Sequence, residues 1–185
     1  MEKLVLSESI LFTGDIPKNL KVNDIDYLNH ILNSHQKNTF LSDDQYHYTS
    51  FFKVLDYIKY NTFIFEWVQQ HFDMLYQIPI RYSNDNSHYS LVLPKNQKTL
   101  SYHQHNKYDF HKTMDYVLYY VADCDEAEIV LQYNDHKWKD LTRSIKLKPR
   151  QFHMFNSDIN HYIINHSKEK DLVLTNLELS KVVRY

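Results

Sequence analysis

Two histidines stand two residues apart in His103-Gln104-His105. On a β-strand, side chains at i and i+2 point to the same face, so both imidazoles can reach one metal ion without help from a turn. A third ligand must come from another part of the chain, and the best candidate is His161, which opens a further strand pattern. Asp109 is held in reserve as an alternative ligand. Imidazole sets of this kind suit Fe, Zn, Cu or Ni.

The elements that must position these residues differ between the two halves of the chain. Apolar residues recur at helical spacing over 25–32 and 49–76, after an extended arm at 3–12 and a turn at 14–17. Short strand patterns then follow at 80–82, 89–93, 99–105, 116–122, 128–133, 144–147, 152–155, 162–165 and 171–179. Strands that recur every 8–12 residues are typical of a sandwich or barrel. We predict one α+β domain over 1–185, with a mainly helical buttress at 1–78 and a β-barrel core at 79–185.

Composition narrows the class of protein. The 185 residues are 43% hydrophobic and 24% charged, which is ordinary for a globular domain, and the net charge of −2 favours neither nucleic acid nor an anionic membrane. No apolar run approaches the roughly 20 residues of a membrane span. A single cysteine, Cys124, excludes an intramolecular disulfide and a cysteine-based zinc site, and we expect a cytoplasmic location.

Glycine is nearly absent, since Gly14 is the only one. This excludes glycine-rich phosphate loops and dinucleotide fingerprints. Turns that need a positive φ must therefore use Asn or Asp, which the sequence offers at 84–86, 134–135 and 156–158.

From about residue 100 to 179, seven sequence motifs follow one another in an order and spacing that match a known family. They are His103-Gln104-His105, Val117-Leu118-Tyr119-Tyr120-Val121, Glu126-Ala127-Glu128-Ile129-Val130-Leu131, Leu147-Lys148-Pro149, Phe155-Asn156-Ser157-Asp158, His161-Tyr162-Ile163-Ile164 and Lys170. In this order the chain resembles the iron(II)- and 2-oxoglutarate-dependent oxygenases, in particular their prolyl-4-hydroxylase-like branch. It departs from that family at His105, where Asp is usual, at Lys170, where Arg is usual, and in lacking the family's glycines.

The resemblance implies a double-stranded β-helix, which is a jelly-roll or cupin-like barrel, with an N-terminal helical layer. It implies a dioxygenase, an oxidoreductase in which Fe(II) is held by His103, His105 and His161. The cosubstrates would be 2-oxoglutarate and O₂, and the reaction would be hydroxylation coupled to decarboxylation of 2-oxoglutarate to succinate. Lys170 and the hydroxyl of Tyr120 or Tyr119 would hold the distal carboxylate of 2-oxoglutarate, and the family spacing favours Tyr120.

Two other interpretations stay open. Cupins also carry H-x-H on a strand, followed by a carboxylate such as Asp109 and a distant histidine, and that interpretation predicts a metal without 2-oxoglutarate. The missing glycines and the replaced Asp favour instead a non-catalytic binding or structural module of the same fold. The substrate, whether a small molecule or a protein, is not named by the sequence, and no basic aromatic groove indicates nucleic acid.

Overall fold

A computed structural model describes residues 11–17, 47–49, 66–74, 79–82, 88–99, 114–135 and 139–182. In chain order the elements are β1 (Leu11–Asp15), β2 (His47–Thr49), α1 (66–74), β3 (Ile80–Tyr82), β4 (His88–Leu93), β5 (Gln97–Lys98), β6 (Tyr116–Asp123), β7 (Ala127–Asp135), β8 (Lys139–Lys146), β9 (Gln151–Asn156), β10 (Asn160–Asn165) and β11 (Leu172–Lys181). The described part of the chain is therefore mostly β-strand with one helix.

The strands form two antiparallel sheets. The larger sheet has the order β1-β9-β6-β11-β4-β2, with β3 also paired to β11, and the smaller sheet has the order β5-β10-β7-β8. Strands that are consecutive in sequence often lie in different sheets, so the chain crosses repeatedly from one sheet to the other. This crossing gives the jelly-roll arrangement, in which the inner faces of the two sheets pack against each other.

Strand β6 lies at the centre of the larger sheet, between β9 and β11. Its first seven residues are apolar or aromatic, and all seven are buried, because both faces of the strand are covered. Alternate residues enter two different clusters. Tyr116, Leu118, Tyr120 and Ala122 pack into an outer core with helix α1, whereas Val117, Tyr119 and Val121 pack into an inner core between the two sheets.

Helix α1 lies within the helical pattern predicted over 49–76 and buries Val68 and Phe72 against the larger sheet. The first part of the chain also supplies strands, because β1 pairs with β9 and β2 pairs with β4. How far the helical layer extends beyond 66–74, and the division at residue 78, stay predictions. No described helix has the length and apolar content that crossing a membrane requires.

Gly14 lies within β1, one residue before the strand ends, rather than in the turn predicted at 14–17. A Cβ at this position would stand 2.9 Å from the buried ring of Phe152 on β9, so the glycine permits close packing rather than an unusual φ. Positive φ occurs instead at Asn96 (56°) and Arg150 (66°). Asn96 has the predicted residue type but lies outside the three predicted segments, of which 134–135 and 156–158 show no positive φ, and Arg150 was not predicted at all.

Candidate functional site

A row of polar side chains crosses the otherwise apolar inner core. Asn176 on β11 is paired in register with Tyr119 on β6, Tyr119 with His153 on β9, and His153 with Thr13 on β1. Strand alternation turns each of these side chains to the inner face, because their immediate neighbours along the strands enter the outer core. His161 of the smaller sheet faces this row, which we call the polar row.

The imidazole of His161 is fully buried and held in one tautomer. Its Nδ1 lies 3.1 Å from the carbonyl oxygen of Ile159, which can only accept, so Nδ1 carries the proton of the neutral ring. Nε2 therefore presents a lone pair, and the Tyr119 hydroxyl donates to it at 2.9 Å. The ring of Phe155 packs edge-on against the imidazole, with 4.9 Å between the centroids. This tautomer is the one that a metal ligand binding through Nε2 requires.

His153 is 1% exposed and neutral at physiological pH. Burial lowers its pKa from the ordinary 6.5 to about 4, and the negative charge of Asp15 opposes this shift only in part. Its Nδ1 is joined to Thr13 Oγ1 by a hydrogen bond of 2.9 Å. Its Nε2 is buried with no hydrogen-bond partner among the described residues. A buried nitrogen without a partner destabilises the fold, but it can form a hydrogen bond with a bound ligand.

Asn176 is completely buried, and neither its Nδ2 nor its Oδ1 has a hydrogen-bond partner in the described part of the chain. Asn165 on β10 provides a contrast within the same protein. Its Nδ2 lies within hydrogen-bond distance of the carbonyl oxygens of Leu93, Pro94 and Lys170, and its Oδ1 accepts from the amide of Ser167. These hydrogen bonds account for the burial of the Asn165 amide, whereas the described residues offer no such explanation for the Asn176 amide.

The proposed ligands His103 and His105, and the reserve ligand Asp109, lie outside the described residues. The described chain stops at Thr99, which is bonded to Ile163 of β10 through both its amide and its Oγ1. Because β5 runs antiparallel to β10, the strand direction at Thr99 points toward the start of β10, where His161 lies two residues before Ile163. The next described residue is Met114, which packs on the inner core.

Two residues expected at the cosubstrate site lie away from His161, and their role stays a prediction. Lys170 is in the loop after β10, where its half-exposed ammonium pairs with Asp123 at 2.6 Å. Asp123 ends β6 four residues beyond Tyr119, a separation of about 13 Å along a strand. Tyr120 packs in the outer core, on the face of β6 turned away from His161. Tyr119, the alternative that the sequence left open, is the tyrosine that contacts His161.

Sequence reasoning missed His153 and Asn176 as members of the site. For His153 a signal was present, since it alternates with Phe152 and Met154 and so must face away from the core that they enter. Nothing in the sequence shows that these polar groups lack partners. Within the described ranges, no group of three His, Cys, Asp or Glu residues is close enough to hold a metal ion.

Comparisons with known proteins agree on the fold. The sequence matches no family model, and no curated protein matches it. The structure is similar to that of SnoN, a non-heme alpha-ketoglutarate dependent epimerase from nogalamycin biosynthesis, with a TM-score of 0.62 and 10% identity over 90% of this chain and 76% of that one. It is also similar to the viral collagen prolyl hydroxylase vCPH of Paramecium bursaria Chlorella virus-1, solved with 2-oxoglutarate. The TM-score is 0.53, with 14% identity over 92% of this chain and 96% of that one. The chain thus shares a jelly-roll fold with two enzymes that use this cosubstrate.

Proposed function

We propose that the chain is an oxygenase of the Fe(II)- and 2-oxoglutarate-dependent type, built on a double-stranded β-helix, and that it hydroxylates a small molecule or a protein. The observation that carries the proposal is the state of His161. In a fold shared with two such enzymes, this buried histidine is fixed in the tautomer that leaves Nε2 able to bind a metal.

The donor chemistry of the chain fits a metal of this class. His161 would supply one imidazole, and we propose His103 and His105 as the other two ligands, with Asp109 as the alternative. The strand direction at Thr99 supports this assignment, because it points toward the end of β10 that carries His161. Three protein ligands leave positions on Fe(II) for other molecules.

When bound, Fe(II) with 2-oxoglutarate and O₂ would supply oxidation of a C–H bond, coupled to decarboxylation of 2-oxoglutarate to succinate. The residues of this chain would prepare that chemistry. The Ile159 carbonyl keeps the proton on Nδ1 of His161, so that Nε2 carries the lone pair that a metal would bind. Tyr119 donates to the nitrogen that would hold the metal, so with a metal on Nε2 its hydroxyl would donate to a ligand instead. The apolar inner core, including Phe155, excludes water from this position.

A metal protein of the cupin type, without 2-oxoglutarate, is the second candidate. The observation that favours it is the position of Lys170, which is paired with Asp123 away from the polar row. No Lys or Arg is buried among the described residues, so these residues offer no cation for a buried carboxylate of the cosubstrate.

The test is metal analysis of the purified protein, followed by anaerobic titration of 2-oxoglutarate into the Fe(II)-loaded form. A weak visible charge-transfer band is expected, and His161→Ala should lose both the iron and the band. His166→Ala is the matched control, because His166 is an exposed histidine paired with Glu128. Iron without the band would favour the cupin-type function, and failure to take up any metal would indicate a non-catalytic module.

The choice between a three-histidine site and one that uses Asp109 has its own test. If Asp109 is a ligand, His105→Ala retains iron while Asp109→Ala loses it. The reverse pattern would assign the site to His103, His105 and His161.

A further inference from the structure

Three buried polar atoms of the polar row have no partner in the described structure. They are Nδ2 and Oδ1 of Asn176 and Nε2 of His153. Both residues are almost completely buried, in strands at the middle of the larger sheet. Polar groups in such places are nearly always hydrogen-bonded, so each of these atoms needs a partner beyond the described residues, and we take that partner to be a bound ligand.

The three atoms lie on the same side of the same sheet. Asn176 and His153 flank Tyr119, and each stands directly opposite it on a neighbouring strand. Their Cβ atoms are therefore separated by two strand spacings, about 10 Å. The side chains of Asn176, Tyr119 and His153 all point into the inner core, where Tyr119 contacts His161. A molecule that contacts this row therefore also lies beside the proposed metal ligand.

The row is uncharged, and this limits what it can bind. None of the buried polar residues in the described ranges is Lys or Arg. A free carboxylate placed against Asn176 and His153 would lose its hydration without gaining a cation. An amide side chain such as Asn176 offers one donor and one acceptor side by side, and this pattern is matched by a primary carboxamide, which offers the complementary pair.

We propose that the polar row binds the uncharged end of a 2-oxo acid, a primary carboxamide in particular, and that it does so in preference to the distal carboxylate of 2-oxoglutarate. The keto acid end of the same molecule would lie at the metal held by His161, so this inference rests on the proposed function. Asn176 is then the residue that determines specificity, with His153 as a second contact. 2-Oxoglutarate itself remains a ligand, but a weaker one.

The experiment compares N-oxalylglycine, in which NH replaces one methylene of 2-oxoglutarate, with its primary amide N-oxalylglycinamide. Both have the same chelating end and differ only in the distal group, which is an anionic carboxylate in one and a neutral carboxamide in the other. Each is titrated calorimetrically into the Mn(II)-loaded chain, so that no turnover is needed. The amide is expected to bind at least about tenfold more tightly, which is the effect of roughly one unpaired buried polar group. Asn176→Leu should reduce this preference to about twofold or less, whereas Thr142→Ala, on the exposed face of β8, should leave it unchanged.

A second variant distinguishes a change in ligand preference from a loss of binding caused by misfolding. Asn176→Asp keeps the shape of the side chain and adds a negative charge, so it should weaken the carboxylate ligand further and enlarge the preference for the amide. Equal or tighter binding of N-oxalylglycine to the unmodified chain would overturn the inference and leave the proposed function standing. If neither compound binds to the metal-loaded chain, the proposed function fails, and the preference fails with it.

Discussion

The unequal hydrogen bonding of two buried asparagines leads to opposite predictions for the same substitution. Asn176 and Asn165 are both essentially inaccessible to solvent, but only the side-chain amide of Asn165 has hydrogen-bond partners among the described residues. Leucine has the same branching as asparagine and no polar atoms, so it removes the hydrogen-bonding groups while keeping the shape. We predict that Asn176→Leu stabilises the ligand-free protein and that Asn165→Leu destabilises it.

The magnitudes follow from what each amide gains or loses. An amide buried without partners costs about 1–3 kcal/mol by mutational comparisons, so its removal at Asn176 should raise the free energy of unfolding by up to that amount. Asn165 loses the bonds from its Nδ2 to the carbonyls of Leu93 and Lys170, at 3.1 and 2.9 Å, and the bond that it accepts from the Ser167 amide at 3.2 Å. At roughly 1 kcal/mol for each bond, and with carbonyls left unpaired, the loss should be about 3–4 kcal/mol.

Urea unfolding followed by circular dichroism measures both changes in the absence of ligand and metal. A parallel thermal scan should show several degrees of movement in each direction, at roughly 2–4 °C for each kcal/mol in a chain of this size. The reasoning would be refuted if Asn176→Leu lowered the free energy of unfolding by as much as Asn165→Leu. That result would mean that the Asn176 amide is already paired in the folded, ligand-free protein.

Three further predictions concern other parts of the structure. Gly14→Ala should destabilise the chain by about 1–3 kcal/mol, because the new Cβ would overlap the buried ring of Phe152. An unchanged urea midpoint would contradict the close packing. The stability of the protein should fall by about 3 kcal/mol between pH 6.5 and pH 4, because the unfolded chain binds a proton that buried His153, with a folded pKa of about 4, does not. His153→Gln should flatten this slope, and a slope that stays the same would assign it to other groups. Lys170→Ala should leave the affinity for N-oxalylglycine unchanged, because the ion pair of Lys170 with Asp123 lies away from the polar row. It should lower the free energy of unfolding by at most about 1 kcal/mol, since the ion pair is exposed. A large rise in the dissociation constant would instead place Lys170 at the binding site.

Much of the fold could be predicted from the sequence, because alternation and turn residues are local signals. The patterns at 80–82 and 116–122 correspond to β3 and β6, and the pattern at 162–165 to most of β10. The position of His161 at the start of β10 fixes its side chain on the same face as the apolar Ile163, and so on the inner side of the sheet. The order of these segments also indicated a jelly-roll related to the oxygenases, whose fold the structure shares.

Tertiary structure alone decided which side chains form the site. In β6 the first seven positions are apolar or aromatic and both faces are buried, so alternation separates Tyr119 from Tyr120 without telling which of them faces the inner core. Lys170 has no periodic signal at all, because it lies in a loop whose ion pair with Asp123 joins segments distant in sequence. For Asn176 the local sequence predicts least about its role. An asparagine in a strand is recognisable from sequence, but whether its amide finds a partner depends on the atoms that other strands bring within about 3 Å, and only the packed sheets determine that.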